Sequence, residues 1–387
     1  MADIRRGHGQ RLGLAERRYS GFYEWAASSP VSRPARRGRA EFHRRTDDAW
    51  DPPGQLREET ARLAGLRSLL SRFLNAPQDY GLVLGRSVSE LATVLADGLP
   101  RTRSRRRVIV NGLNHRSFIL PWLRAAEIGC LDLVVVRDRG DGYLDLDELA
   151  RLVDERTLAV CTTHVSHSFG SVQPIAQVAA IAQRAGAITV VDGAQAVGRI
   201  PVDIASLSCD AYIGVGRKAL LSPVGAGFLA ARLELLNRTK PLLLSTRSAQ
   251  LIDVGNSEYI AFPPPRSLEG TLPDLESLSG LAGSLTAFLK LGPEAIPSHI
   301  HTLLLLLTVR MADLGLKPAR PVDPSRNAGI VTYHLAPHHP SGEMMRRLLH
   351  YKRLVIASGG GTIRLSLHLS NSARGIEKLT RELSEHI

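Results

Sequence analysis

Short apolar runs alternate with amphipathic stretches through the middle of the chain. Helical periodicity separates most of these runs, for example at 146–155 and 175–186. Strands that are apolar on both faces belong to sheets covered by helices on both sides. The alternation therefore predicts an α/β fold with a largely parallel sheet. The β-prone runs lie at 81–85, 107–113, 131–137, 157–165, 187–192, 211–216 and 226–231.

The pattern changes towards both ends. We expect a flexible basic tail over 1–20 and a mostly irregular Pro-, Arg- and Ser-rich segment over 21–52, before helical leucine spacing begins near 54–75. Beyond a Pro-rich stretch, two long helices and then a mixture of strands and helices are predicted. The domains expected are 1–20 (tail), 21–265 (N-terminal segment and large domain) and 266–387 (interdomain helix and smaller α+β domain). The C-terminal helices are predicted at 273–291, 297–314, 341–351 and 373–386, and the strands at 328–335, 353–358 and 362–369.

Composition limits the function classes. The 387 residues are 44% hydrophobic and 22% charged, with no apolar run of about 18 residues and no secretory signal, so we expect a cytoplasmic enzyme without membrane contact. The three cysteines lack the CxxC spacing of a zinc site and are odd in number for a disulfide framework. We therefore expect no metal. The cysteines are Cys130, Cys161 and Cys209.

The net charge of +12 leaves a nucleic-acid partner open, because clustered cations bind phosphates. The arginines concentrate before position 20 and in RTRSRRR at 101–107. No nucleic-acid motif accompanies them and aromatics make up only 5% of residues. A basic nucleic-acid-binding protein therefore stays an alternative, and a cofactor-free structural protein is a weaker one.

One carboxylate and one amine carry the strongest chemical signal. Asp192 ends the apolar run AITVVD, and Lys218 lies in the glycine-rich GVGRKALLSPVGAG after the next run. A carboxylate at a sheet's ligand-binding edge can hold a protonated ring nitrogen, and a desolvated lysine can attack a carbonyl. Together they meet the demands of pyridoxal 5'-phosphate, the expected cofactor. Taken singly, such an Asp is more often a turn residue and such a Lys a surface charge.

The lysine inventory strengthens that choice. The chain has six lysines and none before position 218. Only Lys218 follows a predicted strand inside a glycine-rich loop. The others are Lys240, Lys290, Lys317, Lys352 and Lys378.

Several ordered motifs over about 22–375 resemble the class V aminotransferases, the family of cysteine desulfurases, kynureninase and isopenicillin N epimerase. The resemblance implies the type I fold of pyridoxal-phosphate-dependent transferases, with a mostly parallel seven-stranded sheet. FYEWAASSPVS (22–32) resembles that family's opening loop and would place Ala27 near the substrate. LGRSVSELA (84–92) resembles its phosphate-binding turn, which implies that Ser87, Val88 and Ser89 bind phosphate.

The resemblance also implies roles for two histidines and a clamp for the substrate. NHRSFILPW (114–122) makes His115 the imidazole stacked on the cofactor ring. HVSHSFGSVQPI (164–175) puts His167 where the family has an Asn facing cofactor and substrate; it could donate a hydrogen bond, shuttle a proton or replace the amide. IRLSLHLSN (363–371) makes Arg364 the clamp of a substrate carboxylate, with a structural ion pair as the alternative.

The remaining motifs complete the implied site. VDGAQAVG (191–198) would use Asp192 on the ring nitrogen and Gln195 on the phenolic oxygen, and GVGRK (214–218) would use Arg217 on phosphate beside Lys218. SLEGTLP (267–273) implies that Gly270 and Thr271 reach the phosphate of a partner subunit, hence a homodimer with shared sites.

The same residues restrict the type of reaction without settling it. With Arg364 on the carboxylate and Lys218 removing the α-proton, the expectation is β-elimination by a C–S lyase on a substituted cysteine-like amino acid, the branch of hercynylcysteine sulfoxide lyase. Aminotransfer or epimerisation stays the alternative. VIASGGGTIR (355–364) has no cysteine where the family's desulfurases carry theirs, so we expect that the protein is not a cysteine desulfurase.

Overall fold

A seven-stranded sheet forms the centre of the computed structural model, which describes residues 9–48, 52–102, 104–270 and 273–387. The strand order is β1-β7-β6-β5-β4-β2-β3, and only β7 runs against its neighbours. The prediction of a mostly parallel seven-stranded α/β sheet is therefore confirmed. The strands are β1 Tyr80–Gly85, β2 Arg107–Asn111, β3 Asp132–Val136, β4 Thr157–Thr163, β5 Ile188–Asp192, β6 Ala211–Val215 and β7 Gly227–Arg232.

Helices cover both faces of this sheet. Strands β4 and β6 are buried at every position and β5 at all but its first, which is why these strands are continuous apolar runs in the sequence. The helices in this part of the chain are α1 Arg33–Asp48, α2 Pro52–Phe73, α3 Val88–Gly98, α4 Arg116–Glu127, α5 Leu146–Leu152, α6 Ile175–Arg184, α7 Ile204–Leu207 and α8 Leu233–Arg238.

Two smaller sheets follow. An exposed hairpin pairs β8 Ala249–Asp253 with β9 Glu258–Ala261, and the C-terminal sheet has the order β10-β12-β11, all antiparallel. The C-terminal strands are β10 Ile330–His334, β11 Ala357–Gly359 and β12 Thr362–Ser366. The helices of this half are α9 Leu275–Leu291, α10 Ala295–Asp313, α11 Gly342–Tyr351 and α12 Ala373–Ser384.

Helix α10 is, among the described residues, the one helix long and apolar enough to cross a membrane by length and composition. Its Leu304, Leu307 and Met311 are fully buried in the core that contains Ile330 and Leu365 of the C-terminal sheet. A core helix passes the same test, so α10 is weak evidence of a membrane span.

The expectation of a mostly irregular segment over 21–52 is wrong, because α1 occupies its second half. Its apolar pattern is weak, and the helix is held instead by close backbone contact with α9. Gly38 lies against the Ser279 carbonyl, and Gly283 of α9 lies against the Pro34 carbonyl. Further upstream, within the segment expected to be a tail, Leu14 is buried.

The arginine-rich stretch at 101–107 is largely used inside the fold, although Arg103 lies outside the described residues. Arg105 donates to the backbone carbonyls of Thr157 and Ala185. Arg106 and Arg107 form ion pairs with the carboxylates of Asp132 and Asp154. Much of this cluster therefore stabilises the start of β2.

Candidate active site

The predicted site residues gather at one edge of the large sheet because β1, β2, β4, β5 and β6 are parallel and their carboxyl ends meet there. Each of these strands is followed by at least one of them. They are Ser87 after β1, His115 after β2, His167 after β4, Asp192 at the end of β5 and Lys218 after β6.

Asp192 is held in place from both sides. Its carboxylate accepts a hydrogen bond from the Ala194 N–H at 2.9 Å, and its carbonyl accepts one from the His164 N–H at 2.9 Å. The next residue must be glycine, because a Cβ at Gly193 would overlap the ring of Tyr212. The side chain is 4% exposed, and this burial raises the pKa of Asp192 while the charge of Lys218 opposes the rise. Asp192 is thus a fixed acceptor for a cationic group.

Lys218 lies in the loop between β6 and β7 and is 5% exposed. Burial lowers its pKa to about 8; Asp192 opposes this shift, and Arg217, Arg199 and Arg364 add to it. The uncharged fraction of the amine near neutral pH is therefore far larger than that of an ordinary lysine, which favours a role as a nucleophile.

His115 and His167 are neighbours in this site. His115 caps α4 and its Nδ1 accepts the Ser117 N–H at 3.1 Å, so the remaining proton of the neutral ring is on Nε2. The Nε2 of His167 lies 3.2 Å from the Ser168 hydroxyl. Burial lowers the pKa of each ring to about 4, with nearby cations acting in the same direction, so both rings are neutral at physiological pH.

The start of α3 provides backbone donors. Ser87 caps the helix, and its hydroxyl accepts the Glu90 N–H at 3.2 Å. Val88 is 7% exposed and packs into the core. The Ser89 hydroxyl donates to the Ser117 carbonyl at 3.0 Å, so its proton is already used within the chain. The first-turn N–H groups are therefore the anion donors that this helix offers.

The N-terminal loop closes over the lysine loop. The Arg217 Nη1 donates to the Ala27 carbonyl at 2.7 Å, and the Ser29 N–H donates to the Arg217 carbonyl at 2.8 Å. The Gln195 amide donates to the Ala26 carbonyl at 2.7 Å. These bonds place Ala27, Gln195 and Arg217 in one neighbourhood, as the sequence predicts.

Arg364 reaches the same edge from the C-terminal sheet. It lies on β12 between Thr332 and Ala357, and its Nη1 donates to the His167 carbonyl at 3.0 Å. Burial lowers its pKa and the carboxylate of Glu24 opposes the change. No ion pair to Arg364 is formed within the described residues, so the guanidinium is available to an external carboxylate.

Gly270 is the predicted residue that the structure does not join to this group. Its φ is +64°, and its carbonyl accepts the Ser245 hydroxyl at 2.6 Å. In the described parts of the chain it shares no hydrogen bond with the residues around Lys218. Thr271 lies outside the described residues.

The site leaves polar atoms for a ligand. Among the described residues, Oε1 of Gln195 and Nε of Arg364 are buried and have no hydrogen-bond partner. Buried polar groups are normally paired, so each unsatisfied one indicates a missing partner. A helix N-terminus, a buried carboxylate, a lysine with a lowered pKa and an imidazole fit a phosphorylated aromatic aldehyde.

Sequence reasoning missed Glu24, Arg199 and Tyr212. Glu24 influences Arg364, Arg199 influences Lys218, and the Tyr212 hydroxyl lies 2.9 Å from Nδ1 of His164 beneath Asp192. Glu24 lies inside the motif FYEWAASSPVS, where its charge among apolar residues was the available signal. Arg199 directly follows VDGAQAVG and looks like a surface arginine in the sequence.

Comparison with known proteins gives a consistent result. The family model for Aminotransferase class-V matches residues 54–379. A probable cysteine desulfurase of Methanothermobacter thermautotrophicus is 30% identical over 84% of each chain. A cysteine desulfurase of Dickeya dadantii is 31% identical over 72% of this chain and 68% of its own.

Solved structures agree on the fold. The cysteine desulfurase CsdA of Escherichia coli superposes with a TM-score of 0.87 at 20% identity, covering 99% of both chains. The protein named C-DES, solved with glycine covalently linked to its PLP cofactor, gives 0.83 at 18% identity over 95% of this chain and 97% of its own. The expectation of the type I transferase fold is confirmed.

The comparisons overturn the expected reaction. Relatives of 30% identity over most of the chain are named cysteine desulfurases, which contradicts both the expected C–S lyase acting on a substituted cysteine, with its alternatives, and the exclusion of a desulfurase. The exclusion used the missing cysteine of a single loop.

Proposed function

Because the chain belongs to the class V aminotransferase family, whose cofactor is pyridoxal 5'-phosphate, we propose that it mobilises sulfur from cysteine. The observation that carries this proposal is the match of most of the chain to named cysteine desulfurases, joined with the grouping of Lys218, Asp192 and Arg364 at one edge. The resemblance found in the sequence motifs is confirmed at the level of the family.

Arg364 orients the substrate. A guanidinium binds a carboxylate through two parallel hydrogen bonds, and the Nε of Arg364 is free of partners within the described residues. Its bond to the His167 carbonyl fixes the direction of the side chain. Cysteine held there by its carboxylate would lie at the sheet edge that carries Lys218, whose amine senses the charge of Arg364.

Lys218 moves protons and Asp192 holds charge. When bound, pyridoxal 5'-phosphate supplies an aldehyde that links to amines and an electron-poor ring that stabilises negative charge on the α-carbon. Asp192 would hold the ring nitrogen, Gln195 the phenolic oxygen, and the α3 N–H groups and Arg217 the phosphate. Lys218, whose lowered pKa enlarges its uncharged fraction near neutral pH, would accept the α-proton.

The sulfur acceptor is a thiol from outside the chain. Cys161 and Cys209 are buried, and burial raises the pKa of both thiols; Cys130 follows α4 at the opposite edge of the sheet. The C–S bond of cysteine breaks and an S–S bond forms, so cysteine and a thiol give alanine and a persulfide. These four species balance without an oxidant.

The test supplies the holoenzyme with L-cysteine and dithiothreitol and measures alanine, sulfide and pyruvate. We expect alanine and sulfide in equal amounts, with loss of activity in Lys218→Ala. Lys240→Ala, on the surface beyond the site, is the matched control. Pyruvate and ammonia in place of alanine would refute the proposal.

The enzyme is further proposed to be a homodimer in which Gly270 and Thr271 of one subunit contribute to the other's phosphate site. The supporting feature is the β8–β9 hairpin, whose Leu251, Ile252 and Ile260 are each more than half exposed. Sedimentation equilibrium should give twice the chain mass. A Leu251→Asp variant that stays fully dimeric would contradict this use of the hairpin.

A further inference from the structure

A buried turn touches the loop that carries Lys218. Gly198 has a φ of +83°, and a Cβ there would stand 2.7 Å from the carbonyl carbon of Ala219. Only a glycine allows this approach to the peptide between Ala219 and Leu220, one residue beyond Lys218. The turn therefore rests directly on the lysine loop.

The same turn touches the strand that carries Arg364. The Nη1 of Arg199 donates to the carbonyl of Leu367 at 2.6 Å, just beyond β12. The Nε2 of His368 lies 3.2 Å from the carbonyl of Gly198. Two adjacent residues of the turn thus hold two adjacent residues of the C-terminal segment.

The burial of Arg199 is energetically unfavourable. It is 0% exposed, and within the described residues its Nε and Nη2 have no hydrogen-bond partner and it forms no ion pair. Burying an unpaired guanidinium costs more than burying an apolar residue of similar size. Such a departure from the usual rules of burial is expected mainly at functional sites.

We propose that Arg199 is a positioning residue, which ties the end of β12 to the turn behind Lys218 and so sets where Arg364 stands relative to that lysine. The part that concerns substrate binding rests on the proposed function. Arg199 touches neither the substrate nor the reacting atoms in this role.

The charge of Arg199 has an effect of its own. The charged groups that act on Lys218 are Asp192, which favours its cationic form, and Arg217, Arg199 and Arg364, which disfavour it. A positive charge in a low-dielectric interior acts over a longer distance than one in water. Removing this cation should leave Lys218 more protonated.

Two variants test the contact. Arg199→Met removes both the hydrogen bond to Leu367 and the charge. Arg199→Lys keeps a nitrogen donor on a shorter side chain but weakens the charge, because burial lowers the pKa of Arg199 itself to about 9 and a lysine has a lower ordinary pKa. Arg105→Met is the control, since Arg105 also donates to backbone carbonyls, Thr157 and Ala185, at the opposite edge of the sheet. Thermal unfolding establishes that each variant is folded.

Two readouts are used on the full-length protein. Competitive acetylation of cofactor-free protein, followed by mass spectrometry, reports the reactivity of each of the six lysines as a function of pH. We expect about a threefold loss of Lys218 reactivity at pH 8 in Arg199→Met, and none in Arg105→Met. In both Arg199 variants the KM for cysteine should rise on the order of tenfold.

The outcomes decide the proposal in each case. A folded Arg199→Met with unchanged Lys218 reactivity and unchanged KM overturns it, as does an equal change in Arg105→Met. If Arg199→Met does not fold, the KM of Arg199→Lys decides: a rise supports the positioning role and no rise overturns it. If the wild type has no activity on cysteine, the proposed function fails, while the acetylation of Lys218 still tests Arg199.

Discussion

The rings of His115 and His167 meet edge to face, with centroids 4.8 Å apart and planes at 89°. One ring edge therefore points at the face of the other, an arrangement that aromatic quadrupoles favour. Two charged imidazoles at this distance, beside Lys218 and Arg364, would repel each other and both cations. The pair is compatible with the site because both rings are neutral.

This neutrality predicts how stability depends on pH. The folded pKa of His167 is about 4 and its unfolded value about 6.5, so the unfolded chain binds the proton first as the pH falls. The stability that the folded state keeps by holding this ring neutral is fully present above pH 6.5 and is lost as the pH falls towards 4. The free energy of unfolding of the wild type should fall between pH 6.5 and 4. In His167→Asn, which has no ring to protonate, this fall should be smaller by on the order of 1–3 kcal/mol. Urea unfolding at several pH values measures it, with the exposed His350→Asn as control; parallel curves for wild type and His167→Asn would contradict it.

The lowered pKa of Lys218 predicts the pH dependence of cofactor loading. Because the amine loses its proton near pH 8, its reaction with pyridoxal 5'-phosphate should accelerate as the pH rises through about 8 and level off above it. Stopped-flow absorbance of cofactor-free protein gives the profile. A midpoint near the ordinary lysine value of 10.5 would show that burial does not act on this amine.

Asp192→Asn tests the charge at the end of β5 with little change of shape. The amide oxygen can still accept the Ala194 N–H, but the negative charge is lost, so kcat should fall on the order of 10²-fold or more. Because Asp192 raises the pKa of Lys218, the loading midpoint should also move below that of the wild type. Asp203→Asn, a helix cap on the surface, should change neither quantity. A loading midpoint that rises in Asp192→Asn would reverse the sign assigned here.

Gly198→Ala should lower the free energy of unfolding through backbone strain and through a clash of the new Cβ. A variant of a second glycine measures the strain alone. Gly140 has a similar φ of +88°, but a Cβ added there would have no atom within 4 Å. Gly140→Ala therefore carries backbone strain alone, on the order of 1 kcal/mol. At Gly198 the Cβ would also press on the Ala219 peptide, so the loss should exceed that of Gly140→Ala by about 1–3 kcal/mol. Guanidinium unfolding compares the two variants. Equal losses of unfolding free energy would mean that the lysine loop moves away from the new Cβ without cost.

The central sheet could be predicted within about two residues at most strand ends because each buried strand is a separate apolar run. Helix α1 could not, since Gly38 and Gly283 let two backbones touch, and such contact leaves no periodic signal. The β8–β9 hairpin was missed because most of its side chains are exposed on both faces. Strand β11 is only three residues long, where a longer run was expected at 353–358.

Within the candidate site, Asp192 and Lys218 could be predicted from their positions after apolar runs. The Ser89 proton donated to Ser117 could not, because the partner comes from another helix. Arg199 could not be predicted either, since an arginine after Gly198 looks like a surface residue until burial is known. The reaction was misjudged because one loop without cysteine outweighed the similarity of the remaining motifs.

The loop of Lys218 joins β6 to β7, and Val215 pairs with Gly227 across it. Such a hairpin can close early in folding, since its ends are near in sequence. Arg364 lies near the C-terminal end of the sequence, so its contacts with this site are long-range and form later. During synthesis the amine is therefore expected to be in place before the carboxylate clamp, so that a nascent chain could capture the vitamin B6 aldehyde before it can bind an amino acid.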